Sequence, residues 1–492
     1  MEFSFVITIV ASALMAFFAV KWIYFKILKI AFDKNLVDNP DARKLQKTPV
    51  PVMGGVAVFF GILAGVLVCS VLCSYMQLPI HTRLLPVICG MSIMLYVGAM
   101  DDIIGLTPRS RLVVEVLMML GLIYASGSCV DTLYGLWGIE SMSWWVAVPF
   151  TVLGGVGIIN AINMIDGVNG LSTGLCITCS AFFGIVFVVG GDITNAVLAF
   201  TAVAALLPFF VHNVFGLKSR MFIGDAGTML MGVLLTWFLI NFLSMESELD
   251  LFAHHTAINA IALAVAILSV PVADTLRVMG MRIAKGMSPF SPDKTHLHHA
   301  FIAVGLSHFF TTLSAILIDV LIVCVWFLSY FLGASLEWQL YIVILAAMFM
   351  VWGTYFFLNY HTQNQTKVMQ YLTAFSVHTH WGRTEIWRRF TVWLDAPGDY
   401  REDLMSEERL REVMSVKYNN PTKKSHYIQT RSQIINLLSD QKEWHVDTLK
   451  EHLDTDEFLM YDALVALDIA GRIKIMQYDE RELPTLVKIS EE

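Results

Sequence analysis

Charge is scarce in this chain: Asp, Glu, Lys and Arg make up 15% of its 492 residues, against 56% hydrophobic residues. A soluble domain carries about a quarter charged residues, so a water-solvated fold over the whole length is excluded, and the composition fits a bilayer as solvent. Cysteine builds no framework. Cys69, Cys73, Cys89, Cys129, Cys176, Cys179 and Cys324 lie in or beside apolar runs, without the His or Cys partners of a zinc or disulfide scaffold. Even Cys176-Ile-Thr-Cys179 sits at lipid depth, where a redox pair has no role. Basic excess is also missing: 33 basic residues face 41 acidic ones, a net charge of −8, so nucleic acid is not an expected partner. There is no Walker A pattern, which removes a soluble ATPase. No positive charge precedes the first apolar run, whose lysines come only at Lys21, Lys26 and Lys29; this is the pattern of a retained helix rather than a cleaved signal peptide.

What the chain has instead is a series of apolar runs, each long enough to cross about 30 Å of hydrocarbon. They fall near 4–27, 53–76, 83–101, 112–127, 143–161, 171–190, 195–212, 226–243, 257–275, 308–332 and 337–358, which predicts eleven transmembrane helices. With the N-terminus outside, the loops 28–52, 102–111, 162–170, 213–225 and 276–307 face inward and hold thirteen Lys or Arg, whereas the outer loops hold one, Arg83. Positive residues concentrate in cytoplasmic loops, so this asymmetry predicts the orientation. The run at 112–127 is the shortest, yet deleting it would invert every later loop and erase the asymmetry.

Charge returns at the C-terminal end, where residues 359–492 hold 17 basic and 22 acidic side chains. The expected fold is an all-α polytopic membrane domain over 1–360, an amphipathic connector over 361–427 and a small cytoplasmic α+β domain over 428–492. In that last segment, apolar residues at helical spacing followed by a strand pair resemble a winged helix. Its acidic balance favours protein interaction or self-association over DNA.

Polar residues at the membrane boundaries gather on the inner side. Asp101 and Asp102 end the third span; Asn160, Asn163 and Asp166 close the fifth in Asn160-Ala-Ile-Asn-Met-Ile-Asp-Gly-Val-Asn-Gly170; Asp225 opens the eighth; and the last inner loop supplies Arg277, Arg282, Lys285, Lys294, His296, His298 and His299. A single Asp at a helix end is usually a cap. A set of carboxylates, amides and imidazoles converging from separate inner loops is better read as a site, because ionisable groups near membrane depth are costly and mark function. Adjacent carboxylates with further Asp and Asn oxygens form a hard-ligand set suited to Mg²⁺, with Mn²⁺ as the alternative, shared with substrate phosphates. The cationic final loop matches a diphosphate better than a closed zinc site.

These residues resemble the polyprenyl-phosphate N-acetylhexosamine-1-phosphate transferases. The resemblance spans about residues 1 to 358 and rests on Leu36-Val-Asp-Asn-Pro40 with Pro51-Val-Met-Gly-Gly55, then Asp101-Asp102, Asn160 to Gly170, Phe222-Ile-Gly-Asp-Ala-Gly227 and Ser288-Pro-Phe-Ser-Pro-Asp-Lys-Thr-His-Leu-His-His299. The last motif resembles the GlcNAc-1-phosphate branch. Asn169 departs from the pattern, since many bacterial members carry Asp there. The resemblance implies a bacterial inner-membrane enzyme with a UDP-sugar and a polyprenyl phosphate as partners, a homodimer among the expected assemblies, and release of UMP at the cytoplasmic face. It implies Asp225 with Asn160 or Asn163 as Mg²⁺ ligands, and Asp101, Asp102 and Asp166 as catalytic residues, the first two on the lipid-phosphate side as metal-proximal or proton-accepting groups. Asp166, Asn169 and Phe222 would face the nucleotide, Arg277, His296, His298 and His299 the diphosphate or sugar, and Lys47 the lipid phosphate. The rival expectation is a transporter or membrane sensor, whose polar groups would sit near the bilayer midplane.

Overall fold

The computed structural model describes residues 3–34, 36–38, 50–76, 84–244, 259–289, 295–379, 385–396, 421–440 and 444–453, with shorter stretches between 460 and 489. Two compact units divide the chain: residues 1–28 with 52–394, and residues 29–51 with 395–492.

The first unit is helical. Its elements run α1 (Phe3–Asp33), α2 (Gly54–Tyr75), α3 (Leu84–Ile104), α4 (Pro108–Ser126), α5 (Trp144–Met164), α6 (Leu171–Val189), α7 (Ile193–Phe215), α8 (Gly224–Leu243), α9 (Ala260–Ile267), α10 (Ser269–Ala284), α11 (Leu297–Ala303), α12 (His308–Phe331), α13 (Leu336–Ala347), α14 (Thr354–Gln363), α15 (Lys367–Ser376) and α16 (Glu385–Asp395). Among the described residues, nine helices are long and apolar enough to cross a membrane, α13 and α14 counting as one through a π-helical turn at Met348–Gly353. The protein is therefore an integral membrane protein.

Two of the eleven expected runs behave differently. The run at 257–275 is two helices, α9 and α10, bent by 75°. Pro271 explains the break: it has no N–H to offer the carbonyl of Ile267, four residues earlier. That carbonyl accepts the Cys179 thiol at 3.0 Å instead. The opened N-terminus of α10 is met by Asp319 of α12, whose Oδ1 accepts from the Ser269 hydroxyl at 3.0 Å and the Val270 N–H at 3.3 Å. The second is α4, which lies outside the nine because Arg109, Arg111 and Glu115 occupy its first two turns.

At the centre stands α8, buried along nearly its whole length. Without an apolar driving force between helices in lipid, close contact relies on small residues. A Cβ on Gly98 of α3 would lie 2.4 Å from the Ala226 backbone nitrogen, and one on Gly55 of α2 would lie 2.3 Å from that of Gly227. Glycine is obligatory at both positions, and α2 and α3 meet the start of α8 backbone to backbone.

In the second unit, β1 (Val37–Asp38) pairs antiparallel with β2 (Val50–Pro51). The C-terminal part contains α17 (Pro421–Asp440), β3 (Trp444–His445), α18 (Val446–His452), β4 (Ile473–Tyr478) and β5 (Pro484–Ile489), the strands forming an antiparallel sheet in the order β3-β5-β4. Ile434, Leu438, Leu449, Leu464, Leu467 and Val487 form its buried core.

Candidate functional site

The site grows from the turn between α3 and α4. Gly105 adopts φ +68°, a conformation that favours glycine. Asp101 steadies the turn by accepting the Leu106 N–H at 2.6 Å. Thr107 then caps α4, accepting the Ser110 N–H, with Pro108 at the first helical position. The result sets Arg111 and Glu115 four residues apart on one face of α4.

Arg111 reaches side chains of three other helices. Its Nη1 lies 3.1 Å from Asp101 Oδ2 and 3.5 Å from Asp225 Oδ2, and its Nη2 donates to Asn160 Oδ1 at 3.1 Å and Asn163 Oδ1 at 2.9 Å. Asn163 in turn donates to Asp225 Oδ1 at 2.8 Å and the Thr228 hydroxyl at 2.9 Å. The C-terminal ends of α3 and α5 and the N-terminal ends of α4 and α8 thus meet at one end of the bundle.

The paired aspartates divide their work. Asp102 turns both oxygens to the start of α8, accepting the N–H of Asp225 at 2.9 Å and of Ala226 at 3.2 Å. It acts as a cap supplied by another helix, satisfying backbone donors that α8 leaves open. Gly224, at φ +71°, makes room: a Cβ there would lie 2.5 Å from Asp102 Oδ2. Asp101 remains the member of the pair that faces Arg111.

A second cluster forms around Asp274 of α10. This buried carboxylate accepts from Arg277 Nη2 at 2.5 Å, pairs with His296 Nδ1 at 2.8 Å and accepts the Leu297 N–H through both oxygens at 3.1 and 3.2 Å. Arg277 also donates to the Thr295 carbonyl at 2.6 Å and lies over the Tyr355 ring at 3.5 Å. His296 and His298 stack with centroids 5.6 Å apart, and His299 lies 4.3 Å from His298. Burial, with neighbouring His299 and His296, holds His298 well below the usual imidazole range, so it is neutral at pH 7.

Asp166 stands between the clusters. Its surface is open to solvent while protein surrounds it densely, the condition of a group on a concave floor. The enclosing protein pushes its carboxyl up to about 7, opposed by the 2.6 Å hydrogen bond from Ser172 and reinforced by the charge of Asp225. Next to it, a Cβ on Gly167 would lie 2.4 Å from His298 Nε2, so the missing side chain admits the imidazole.

Asp101, Asn160, Asn163 and Asp225 are thus brought together, whereas Arg277 and His296 bind Asp274 in the other cluster. Phe222 is half-buried, and its carbonyl accepts the Gly54 N–H at 2.9 Å. Asn169 engages α12 through its backbone, its N–H to His308 Nδ1 at 3.2 Å and its carbonyl to the Thr312 hydroxyl at 3.1 Å. Lys47 and Lys294 lie outside the described residues. Sequence reasoning passed over Arg111, Glu115 and Asp274. The signal for the first two was present: a basic and an acidic residue four apart in an apolar run, where ionisable groups are rare.

The donor set fits a hard divalent cation. Asp101, Asp225, Asn160 and Asn163 each turn an oxygen to the Arg111 guanidinium, and among the described residues of the cluster four carboxylates (Asp101, Asp102, Asp225 and Glu115) stand against that one positive charge, which leaves negative charge for a divalent cation to balance. Among the described residues no three His, Cys, Asp or Glu side chains close on a metal position by themselves, so a bound Mg²⁺ would draw on amide, water or phosphate oxygens as well.

Fold and site together define an integral membrane protein with an oxygen-rich, cation-bearing cluster at one end of its helices. A profile of glycosyl transferase family 4 matches residues 84–243, the stretch carrying both halves of the Arg111 cluster. The chain is 30% identical to an undecaprenyl-phosphate alpha-N-acetylglucosaminyl 1-phosphate transferase of Yersinia pestis, over 57% of this chain and 73% of the relative. It is 31% identical to the protein of that name from Salmonella typhi, over 65% and 84%, and 30% identical to a probable undecaprenyl-phosphate N-acetylglucosaminyl 1-phosphate transferase of Bacillus subtilis, over 57% and 74%. The chain belongs to this family of membrane phosphosugar transferases.

Proposed function

We propose that the protein transfers GlcNAc-1-phosphate from UDP-GlcNAc to undecaprenyl phosphate, releasing UMP, at the cytoplasmic face of a bacterial inner membrane, as the first membrane step of cell-surface polysaccharide assembly. The observation that carries this reading is the convergence of Asp101, Asn163 and Asp225 on Arg111, in a chain whose relatives bear the names of such transferases. Transfer of this kind is mostly positioning and charge neutralisation. A phosphomonoester has a second pKa near 6, so the lipid phosphate is largely dianionic at neutral pH and needs little help from a base. The difficulty is bringing anions together.

Asp225, with Asn160 or Asn163, would hold Mg²⁺, which when bound supplies charge neutralisation on the diphosphate. Arg111 adds a fixed positive charge beside it, and Asp101 orients that guanidinium on the acceptor side. Asp102 keeps the start of α8, and so Asp225, in place. Asp166 and Phe222 would meet the nucleotide, the ionised carboxyl accepting from its N–H or hydroxyl donors. Arg277, His296, His298 and His299 would hold the diphosphate or sugar. Attack is direct, without a covalent intermediate. The C-terminal tail is read as a winged-helix-like module for protein interaction or self-association.

A transporter fits less well, because the polar groups gather at helix ends. The mid-helix carboxylate, Asp319, is engaged with the break before α10. Purified protein given undecaprenyl phosphate, Mg²⁺ and a panel of UDP-sugars should release UMP with UDP-GlcNAc, without any gradient. Asp225→Asn should abolish release while leaving the protein folded in detergent. Full turnover by that variant, or a stable phosphosugar adduct on Asp101 when acceptor is withheld, would refute the mechanism.

A further inference from the structure

Glu115 has no solvent exposure, although it is a carboxylate within an apolar helix. Such a group is costly unless both oxygens are engaged by charge and hydrogen bonds. They are: Oε1 lies 3.3 Å from Arg111 Nε and Oε2 accepts from Asn160 Nδ2 at 2.5 Å. The two partners are the residues whose orientation the oxygen cluster depends on. With Nε held, the planar guanidinium has one way to turn, and its Nη1 and Nη2 present toward Asp101, Asp225, Asn160 and Asn163. Asn160 spends both amide hydrogens, one on Glu115 and one on the Val156 carbonyl at 2.9 Å. Its oxygen is therefore the atom left to face the cluster, where it accepts from Arg111 Nη2 at 3.1 Å.

We propose that Glu115 is a positioning residue of the transfer reaction, fixing the plane of Arg111 and the amide orientation of Asn160 so that positive charge and a neutral oxygen ligand meet the diphosphate in a preset arrangement. This deepens the functional reading above and rests on it. It does so through geometry rather than through contact with substrate, since Glu115 lies behind Arg111 and Asn160.

Glu115→Gln is the sharpest test, because it keeps the shape and removes the dual acceptor. A carboxamide can accept from Arg111 with one atom, but its NH₂ then confronts the NH₂ of Asn160. Relief requires Asn160 to turn over, which would point its hydrogens at Arg111. In UMP-release assays, Glu115→Gln is expected to lower kcat roughly 30- to 100-fold, the scale of an ångström-sized misplacement, with a smaller change in KM for UDP-GlcNAc. On an Arg111→Ala background the same substitution should add little, because a residue acting through another shows strong coupling in a double-mutant cycle.

Wild-type turnover by Glu115→Gln, or losses that simply multiply with Arg111→Ala, would overturn the proposal while leaving the transferase reading intact. A wild-type enzyme inactive on every UDP-sugar would defeat the transferase reading instead. The positioning claim would then be judged by an experimental structure of Glu115→Gln, where an Arg111–Asn160 pair unmoved from the parent arrangement overturns it. If Glu115→Gln does not accumulate in membranes, Glu115→Asp, which keeps the charge but withdraws it by one methylene, is expected to show the same loss, and a folded Glu115→Asp with parental kcat is equally fatal.

Discussion

Asp166 and His298 lie close together in the site but titrate in opposite senses. The carboxyl of Asp166 is raised to about 7 from an ordinary value of 3.8, so in the folded protein it is neutral below that pH and ionised above it. His298 is lowered well below the imidazole range by burial, so it is neutral near pH 7. If an ionised Asp166 receives the nucleotide, UMP release at saturating Mg²⁺ should rise as pH increases through about 7. Asp166→Asn should remove that step and leave a flat, low profile. The stability sign runs the other way: between about pH 4 and 7 the folded state binds a proton that the unfolded state has lost, so this residue's contribution to stability falls as pH rises through that window. A step that survives in Asp166→Asn would assign it to another group. Asp101, Asn163 and Asp225 were recognisable individually, because carboxylates and amides at the ends of apolar runs are conspicuous. For Arg111 the local signal is its spacing of four from Glu115 in an apolar run, but that spacing does not say which carboxylates and amides of α3, α5 and α8 the guanidinium meets.

At the scale of elements, the position of Asp225 is set by glycines that carry no chemistry. Gly98 and Gly55 let α3 and α2 touch the first turn of α8, and this contact puts Asp102 within reach of the backbone it caps. Gly98→Ala would place a methyl carbon 2.4 Å from the Ala226 nitrogen, too near for any rotamer to relieve. Forced separation should cost about 1–3 kcal/mol, the usual penalty of overpacking, read as a lower unfolding temperature in detergent. UMP release should fall along with it, because α8 carries Asp225 away from Arg111. Unchanged stability and turnover in Gly98→Ala would show that the contact does not set the site. The break between α9 and α10 is a similar case of partial legibility. The apolar run at 257–275 reads in sequence as one continuous span; the break at Pro271 and its 75° angle emerge only with Cys179 and Asp319, which come from α6 and α12.

At the scale of the whole molecule, the described residues of both polar clusters belong to the unit built from residues 1–28 and 52–394, and the tail belongs to the other. A chain ended after residue 396, which keeps α16, should retain UMP release within about threefold of the full chain, as expected when the removed residues hold no reacting group. Loss of most activity in a truncated protein that still elutes as a folded species would assign a part in the reaction to residues 397–492. The isolated tail, acidic on balance, should give no salt-dependent shift of DNA. Because Asp102 caps the first turn of α8, the loops bearing Asp102 and Asp225 share one side of the bundle.

Composition and run length by themselves determined that this chain is a polytopic helical membrane protein, because hydrocarbon demands long apolar segments whatever their neighbours. Ordered motifs placed it beside a transferase family, and the spacing of polar residues marked most of the oxygen-rich cluster. Only the tertiary structure decided that Asp102 serves α8, that Asp101 and Asp225 share Arg111, that Glu115 lies behind both Arg111 and Asn160, and that Asp274 gathers the histidine loop. Those assignments depend on which helix ends meet, and that is governed by close packing between segments far apart in the chain, a property no local stretch of sequence carries.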